Sequence, residues 1–543
     1  MKRWTLAFFG TFAALLLLHF PLLNLPYFWD EAGYYIPAAL DIYNDWRLVP
    51  ESTLPTGHTP LVMIYLALAW KLFDFSPLVT RTAIVLIAAA TVAATYALAR
   101  RVTEREPAVW AAALLALSPM FFAQSTMVFL DLPAALFTTL AVIALLDGRM
   151  LKFAVTASLM VLTKETAVLL LPVAWAWTSR STARSAKRFG VRRLAAALPA
   201  TEQARADKAE AELPHSKGRG QAPPLRWIAL IVPLAPLVAW TVYYRHETGF
   251  WTGNAEYLQF NLYSTLSPGR FFWTLLRRSY EVFIGGFNWL LVAGAAFGIW
   301  WGRKQSHRDT GLQRESSHSL LLASGLIAVY VLMLSVVGGA VLPRYLLPIV
   351  PLFILVAVAL VWRLPKAFAR ATCGVTLACF VAAWFINPPY PFPYEDNLSY
   401  ADFIRLHQDA ARYLESRPSG ERILTAWPAT DELARPFLGY VNKPLSVVPL
   451  EGFTANDFAK VSSFDLLYVY SRKWEPPNNW LPRLPVFRRA QERHFGYVQQ
   501  MSNEELVSRF HLKLLRQFER RGQWVKVFER ELEVRTKESG VRR

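Results

Sequence analysis

The run Trp4 to Leu23 (WTLAFFGTFAALLLLHFPLL) leads, after Asn24, Leu25 and Pro26, into Tyr27-Phe28-Trp29-Asp30-Glu31-Ala32-Gly33-Tyr34-Tyr35. A straight helix needs roughly 20 apolar residues to cross a bilayer, and the first run meets that length. Asp30 and Glu31 therefore fall just past the outer end of a membrane helix. An acidic pair is costly near hydrocarbon, so its presence points to a task. The plain alternative is a solvated loop whose aromatic rings anchor at the headgroups.

Composition sets the class. Of 543 residues, 54% are hydrophobic, and they come in runs rather than stripes; the mean hydropathy is +0.24. That reads as a polytopic α-helical membrane protein. The net charge is +18. In a soluble domain such a charge suggests nucleic acid. Here the basic residues gather in short segments between apolar runs, the pattern that sets membrane orientation, so nucleic-acid binding is rejected. Cys373 and Cys379 lie in one apolar run, and a disulfide within one helix is geometrically disfavoured. Lys2 and Arg3 precede the first run, and His19-Phe20-Pro21 stands where a cleavage site would be. The expectation is an uncleaved first helix with a cytoplasmic N-terminus.

A first outer loop spans 24–60, with a short surface helix suggested by Tyr34, Ile36 and Ala39. Leu61 to Phe73 is short and is taken as interfacial or re-entrant, so that Leu78 to Ala99 alone crosses and Arg100 and Arg101 stay inside. Pro107 to Thr126 returns outward, Ala134 to Leu146 goes in, Phe153 to Thr163 climbs out and Ala167 to Trp177 descends. This topology assigns Asp30, Asp131 and Lys164 to one face. A basic cytoplasmic loop covers 179–226. Further spans run from Trp227 to Tyr244, Val282 to Trp301, Leu320 to Val337, a span after Leu342-Pro343-Arg344-Tyr345-Leu346-Leu347-Pro348 to Trp362, and Ala371 to Ile386, with an aromatic, basic outer loop from Arg245 to Arg278. The total is about eleven spans of roughly 20 residues, some shorter, which places the C-terminus outside. Residues 387–543 read as an extracytoplasmic soluble α/β domain. Its helix is Asp402 to Glu415, and its strands are Arg422 to Ala426, Leu445 to Val448 and Leu466 to Tyr470. The tail from Glu504 reads as helical.

The outer face then collects Asp30, Glu31, His58, Asp131, Lys164, Glu165, Arg245, His246, Arg270 and Arg344. Each also has a structural reading. Asp131, before Leu132-Pro133, suits a helix cap. Lys164 and Glu165 suit a pair with each other or with headgroups, and Arg344 suits snorkelling to the interface. Taken together they suit a reaction. A carboxylate can remove a proton from an acceptor hydroxyl. Cations can hold a leaving phosphate, and aromatic rings such as Tyr34 and Tyr345 can pack on sugar faces. The substrate implied is an anionic lipid-linked sugar. No His/Asp/Glu spacing demands a metal, and no cofactor is expected; a divalent cation is compatible but not indicated.

Five motifs carry a family resemblance over roughly residues 1 to 386: Trp29-Asp30-Glu31-Ala32-Gly33-Tyr34-Tyr35, His58-Thr59-Pro60-Leu61, Leu130-Asp131-Leu132-Pro133, Leu162-Thr163-Lys164 and Pro343-Arg344-Tyr345-Leu346-Leu347-Pro348. In order and spacing they resemble the GT-C glycosyltransferases, the group of protein O-mannosyltransferases and the lipid A aminoarabinose transferase. The resemblance implies a polyprenyl-phosphate sugar donor, in bacteria undecaprenyl phosphate, and an inverting single displacement. It implies catalytic acids at Asp30 and Asp131, with Glu31 beside them, and donor-phosphate contacts from Lys164 and Arg344. His58, Arg270, Tyr34 and Tyr345 complete the candidate substrate contacts. Two positions depart from the pattern: Thr59 replaces a proline of a His-Pro-Pro motif, and Glu165 stands where many relatives have glycine. The acceptor is a lipid A, glycan or protein hydroxyl, and the location is the cytoplasmic membrane. A transporter or flippase for lipid-linked or small substrates is the alternative; against it, the ionisable residues gather at one surface rather than at mid-membrane.

Overall fold

The computed structural model describes residues 2–179, 223–253, 267–305, 311–337, 340–459, 461, 463–476, 484–495 and 500–531. Most of the 179–226 loop, Tyr257 and Tyr263 of the outer aromatic loop, and Gly338-Gly339 lie outside the described residues.

The chain divides into two units. The first comprises Met1–Asn24, Tyr34–Pro388 and Glu395–Leu398; the second comprises Leu25–Gly33, Pro389–Tyr394 and Ser399–Arg543. Among the described residues of the first unit, six helices are long and apolar enough to cross a membrane: Thr5–Leu22, Pro77–Val102, Arg226–Thr248, Ser317–Val337, Pro343–Val361 and Lys366–Ala383. A bent pair, Pro268–Phe283 and Gly285–Lys304, makes a seventh if it is one span. Leu61–Phe73, Asp131–Leu146 and Met150–Thr163 are apolar but shorter. At 1.5 Å per residue a helix of 13 residues reaches only about 20 Å, against a hydrocarbon core of about 30 Å. The expectation of about eleven spans counts the two short runs at Ala134 to Leu146 and Phe153 to Thr163 as crossings, while Leu61 to Phe73 is left out as interfacial or re-entrant.

Local chemistry sets the helix ends. Pro77–Val102 starts where Ser76 accepts the Val79 N–H, with Pro77 in the first turn. The run Pro107 to Thr126, expected as one span, is two helices, Arg105–Leu117 and Pro119–Gln124. Pro119 has no N–H to give and forces Ser118 into an extended conformation. The freed Leu117 carbonyl accepts the Trp384 Nε1–H at 2.9 Å. Trp384 stacks on Phe122, which stacks on His19.

The second unit carries a five-stranded sheet: β1 (Ile423–Ala426), β2 (Val447–Leu450), β3 (Leu466–Tyr470), β4 (Leu512–Arg520) and β5 (Gln523–Arg530). The order is β2-β1-β3-β5-β4. β2, β1 and β3 are parallel; β5 and β4 are antiparallel to their neighbours. β1 and β3 are buried along their whole length, as central strands covered on both faces must be. Helix Ser399–Glu415 presents Phe403, Ile404, His407, Ala410, Ala411 and Leu414 at helical spacing to the core. The tail from Glu504 is not one helix. Its helix, Asn503–Phe510, ends at left-handed His511, and a hairpin follows. The two-residue turn Arg521-Gly522 has both φ angles positive, and Gln523, Val525 and Val527 are buried at period two. Those are the marks of a tight hairpin rather than a helix.

Candidate functional site

Asp131 opens helix Asp131–Leu146 but does not cap it; no side-chain cap is present. Its two oxygens are taken by cations instead. One pairs with Lys164 Nζ, and the other lies 3.6 Å from Arg344 Nε. The helix Met150–Thr163 stops at Lys164, whose backbone turns extended and sends the chain into the 3-10 turn Glu165–Leu170. Arg344 sits in the 3-10 segment Pro343–Ile349. It donates from Nη1 to Glu395 Oε2 at 2.8 Å, and its guanidinium lies 3.8 Å from the centre of the Phe129 ring. Arg344 is 2% exposed, so it does not snorkel to an interface. Lys164 pairs with Asp131 rather than with Glu165. Its ammonium lies 3.8 Å from the Tyr345 ring centre, and Tyr345 is fixed through its carbonyl by Tyr330 Oη–H.

The result is a buried chain of alternating charge: Lys164, Asp131, Arg344, Glu395. Burial pulls the Lys164 ammonium below its ordinary pKa, and the Asp131 carboxylate opposes that. Burial raises the Asp396 carboxyl well above the usual carboxylate range, and the neighbouring Glu395 pushes it the same way. Each buried charge is tolerated because an opposite one faces it; losing a partner from such a pair costs about 3–5 kcal/mol.

His58 and Tyr34 line a small cleft with Tyr35, Met63, Trp240 and Tyr244. The turn before His58 needs glycine: Gly57 has φ +77°, and a Cβ there would meet the Gly253 nitrogen at 2.3 Å. Trp240 Nε1–H binds the Gly57 carbonyl and Tyr244 Oη–H the Pro55 carbonyl, which pins the turn. His58 Nδ1 then lies 3.1 Å and 3.2 Å from the two Glu165 oxygens. Burial alone would raise the Glu165 carboxyl; the His58 charge and hydrogen bond outweigh it and hold the carboxyl down at about 2.

Arg270 lies on helix Pro268–Phe283, where Arg270, Thr274, Arg278 and Val282 form a buried stripe at every fourth position. Arg278 is fully buried on this stripe. Arg245 and His246 are in the exposed last turn of helix Leu234–Thr248.

Asp30 and Glu31 lie in the second unit. Asp30 is half-buried at the head of a turn that becomes the π-helix Glu31–Tyr35. Glu31 is fully buried, and its carboxylate accepts the Phe28 N–H at 2.7 Å. That bond satisfies a backbone donor at the start of the turn. Trp29 is left-handed, with φ +50°, which costs a non-glycine residue about 1–2 kcal/mol and needs tertiary support.

Sequence reasoning did not select Glu395, Arg278 or Phe129. Glu395-Asp396 is a second acidic pair soon after an apolar run, the signal that singled out Asp30-Glu31. The four-residue spacing of Arg270, Thr274 and Arg278 would have found the stripe. Among the described residues no three His, Cys, Asp or Glu side chains gather into a metal-binding group.

Residues 57–200 match the model of the family described as dolichyl-phosphate-mannose-protein mannosyltransferase, a stretch that holds His58, Asp131, Lys164 and Glu165. In structure the chain is similar to ArnT from Cupriavidus metallidurans in the apo state, with TM-score 0.53, 14% identity, and coverage of 97% of this chain and 98% of that one. The chain has the GT-C glycosyltransferase fold. The chain is also similar to ArnT from Cupriavidus metallidurans bound to undecaprenyl phosphate, with TM-score 0.52, 14% identity and the same coverage of 97% and 98%. Against the apo oligosaccharyltransferase of Archaeoglobus fulgidus the TM-score is 0.44 at 12% identity, over 85% of this chain and 69% of that one. A comparison with the curated proteins finds no match in sequence. With its apolar helices, the chain is a multi-pass membrane protein.

Proposed function

We propose that this protein is an inverting glycosyltransferase that moves a sugar from a polyprenyl-phosphate donor to a hydroxyl of a lipid, glycan or protein. The reaction takes place on the outer face of the cytoplasmic membrane. The observation that carries the reading is the buried Lys164–Asp131–Arg344–Glu395 chain. Two cations are held beside aromatic rings and kept in place by carboxylates, and this is a preorganised site for a developing phosphate charge. The polyprenyl phosphate in one similar structure supports the donor class.

In this reading Asp30 takes the proton of the acceptor hydroxyl. The acceptor oxygen attacks the anomeric carbon from the face opposite the phosphate. The anomeric C–O bond breaks, its electron pair leaves on polyprenyl phosphate, and the configuration inverts. The leaving phosphate becomes a monoester and gains negative charge, so Lys164 and Arg344 bind it more tightly as the bond breaks. Asp131 keeps the two cations at a fixed spacing. It also adds negative potential for the sugar cation that develops, as carboxylates do in glycoside hydrolysis.

The test is transfer by the purified protein from undecaprenyl-phosphate sugars, read by mass spectrometry, with Asp30→Asn beside it. Transfer by the wild type and loss in the variant support the reading. Normal turnover by Asp30→Asn overturns it.

A further inference from the structure

The C-terminal unit has no chemistry assigned to it above, yet it contains the Asp30 turn. Residues 25–33 are counted with the C-terminal unit and not with the helices that flank them. The contacts are specific. Tyr27 N–H binds the Leu438 carbonyl at 3.3 Å, and Tyr440 Oη–H binds the Tyr27 carbonyl at 3.0 Å across a separation of 413 residues. Phe28 meets Phe403 edge-on at 5.3 Å, and Trp29 meets Phe403 and Trp427 edge-on, each at 5.6 Å. Arg472 lies over the Trp29 ring. Gly33 admits no side chain, because a Cβ would fall 2.4 Å from Trp427 Nε1. Asp30 is thus bracketed by Trp29 and Gly33, and both touch Trp427.

The placement follows the sheet. Trp427 is the residue after β1 and Arg472 comes two residues after β3, so both stand at the carboxyl ends of parallel strands. In open α/β sheets that edge is where ligands are received. Here it receives the chain's own segment. Left-handed Trp29 persists only where its surroundings over-determine it, and these rings do so.

Resting on the reading of Asp30 as the base, we infer that the C-terminal unit is an aromatic clamp for the Asp30 turn, with Trp427 and Tyr440 as positioning residues. Their task is to hold the Asp30 carboxylate in its reactive orientation. A displacement of about 1 Å at a reacting group costs on the order of 10²-fold in rate. Trp427→Ala and Gly33→Ala are therefore expected to lower kcat about 10²-fold with donor KM within about twofold, since Lys164 and Arg344 belong to the other unit and are untouched. Trp427→Phe restores part of the loss. Tyr440→Phe removes one hydroxyl without opening a cavity and is expected to lower kcat about 5-fold to 10-fold, the worth of one hydrogen bond. Hydrogen exchange of residues 25–33 speeds up in each impaired variant.

The measurements are steady-state kinetics and hydrogen exchange on the full-length protein, with Asp30→Asn in parallel. An inactive Asp30→Asn beside fully active Trp427→Ala and Tyr440→Phe overturns the clamp and leaves the base standing. An active Asp30→Asn overturns the base reading itself. If Trp427→Ala does not fold, Tyr440→Phe decides: lowered kcat at unchanged KM supports the clamp, and unchanged kcat or a change in KM alone overturns it.

Discussion

Asp131 and Asp30 both follow apolar runs, and the two regions hold them by different physics. Asp131 is 2% exposed and lies between Lys164 and Arg344, with Glu395 beyond. Asp30 is half-buried, and it is the backbone around it that is fixed, by rings and by backbone hydrogen bonds within the C-terminal unit. The first arrangement fixes charge and the second fixes direction. A group that must remain ionised inside the protein needs a partner of opposite sign. A group that must accept a proton needs its orientation held and its carboxylate accessible.

The comparison can be broken, and the largest expected effect is on turnover. Asp30→Asn should lower transfer by about 10²–10⁴-fold, the usual contribution of a general base. Its thermal midpoint should fall by less than that of Asp131→Asn. A comparable fall in midpoint would mean that Asp30 is held as Asp131 is.

Asp131→Asn should do the reverse in stability. It leaves Lys164 and Arg344 buried without their shared carboxylate, at about 3–5 kcal/mol. Denaturant unfolding in detergent measures this, and a loss under about 1 kcal/mol would deny the buried pairing. Glu395→Gln comes next. It removes one charge-assisted bond to Arg344, about 1.5–3 kcal/mol, and should raise donor KM while Asp131 still holds the guanidinium.

The smallest effects are in pH dependence, and they differ in sign. The Glu165 carboxyl is held at about 2 beside His58, against an ordinary 4.5. Its contribution is fully present above the ordinary value and is lost as the pH falls through about 2. Glu165→Gln should therefore flatten the acid limb of stability. The Asp396 carboxyl is raised by burial, so its protonated form favours folding. That contribution is present below its ordinary value and is lost as the pH rises through the raised one. Asp396→Asn should remove a decline on the alkaline side. Thermal unfolding across pH checks both.

Much of the organisation was legible along the chain. Apolar runs such as Pro77–Val102 announce themselves by length, and Leu466–Tyr470 is a strand where the alternation of elements placed it. Asp131 and Lys164 were legible as residues but not as partners. Asp131 before Leu132-Pro133 fits a helix cap as well as an ion pair, and only the arrival of Lys164 and Arg344 decides between them. Glu395 was illegible as part of that cluster because it lies 51 residues from Arg344 in a stretch that reads as the next domain. Likewise the tail reads as helical from its charges, while the Arg521-Gly522 turn makes it a hairpin.

Sequence alone determined the class of this protein, its apolar helices, and which acids and bases stand at helix ends, because hydrophobicity and local capping are properties of neighbours along the chain. Tertiary structure alone decided that Asp131 faces two cations, that His58 faces Glu165, and that the Asp30 turn belongs to a unit built mostly from residues near 400 and beyond. Charge pairing and ring packing act over a few ångströms in space, and separation along the polypeptide carries no information about them.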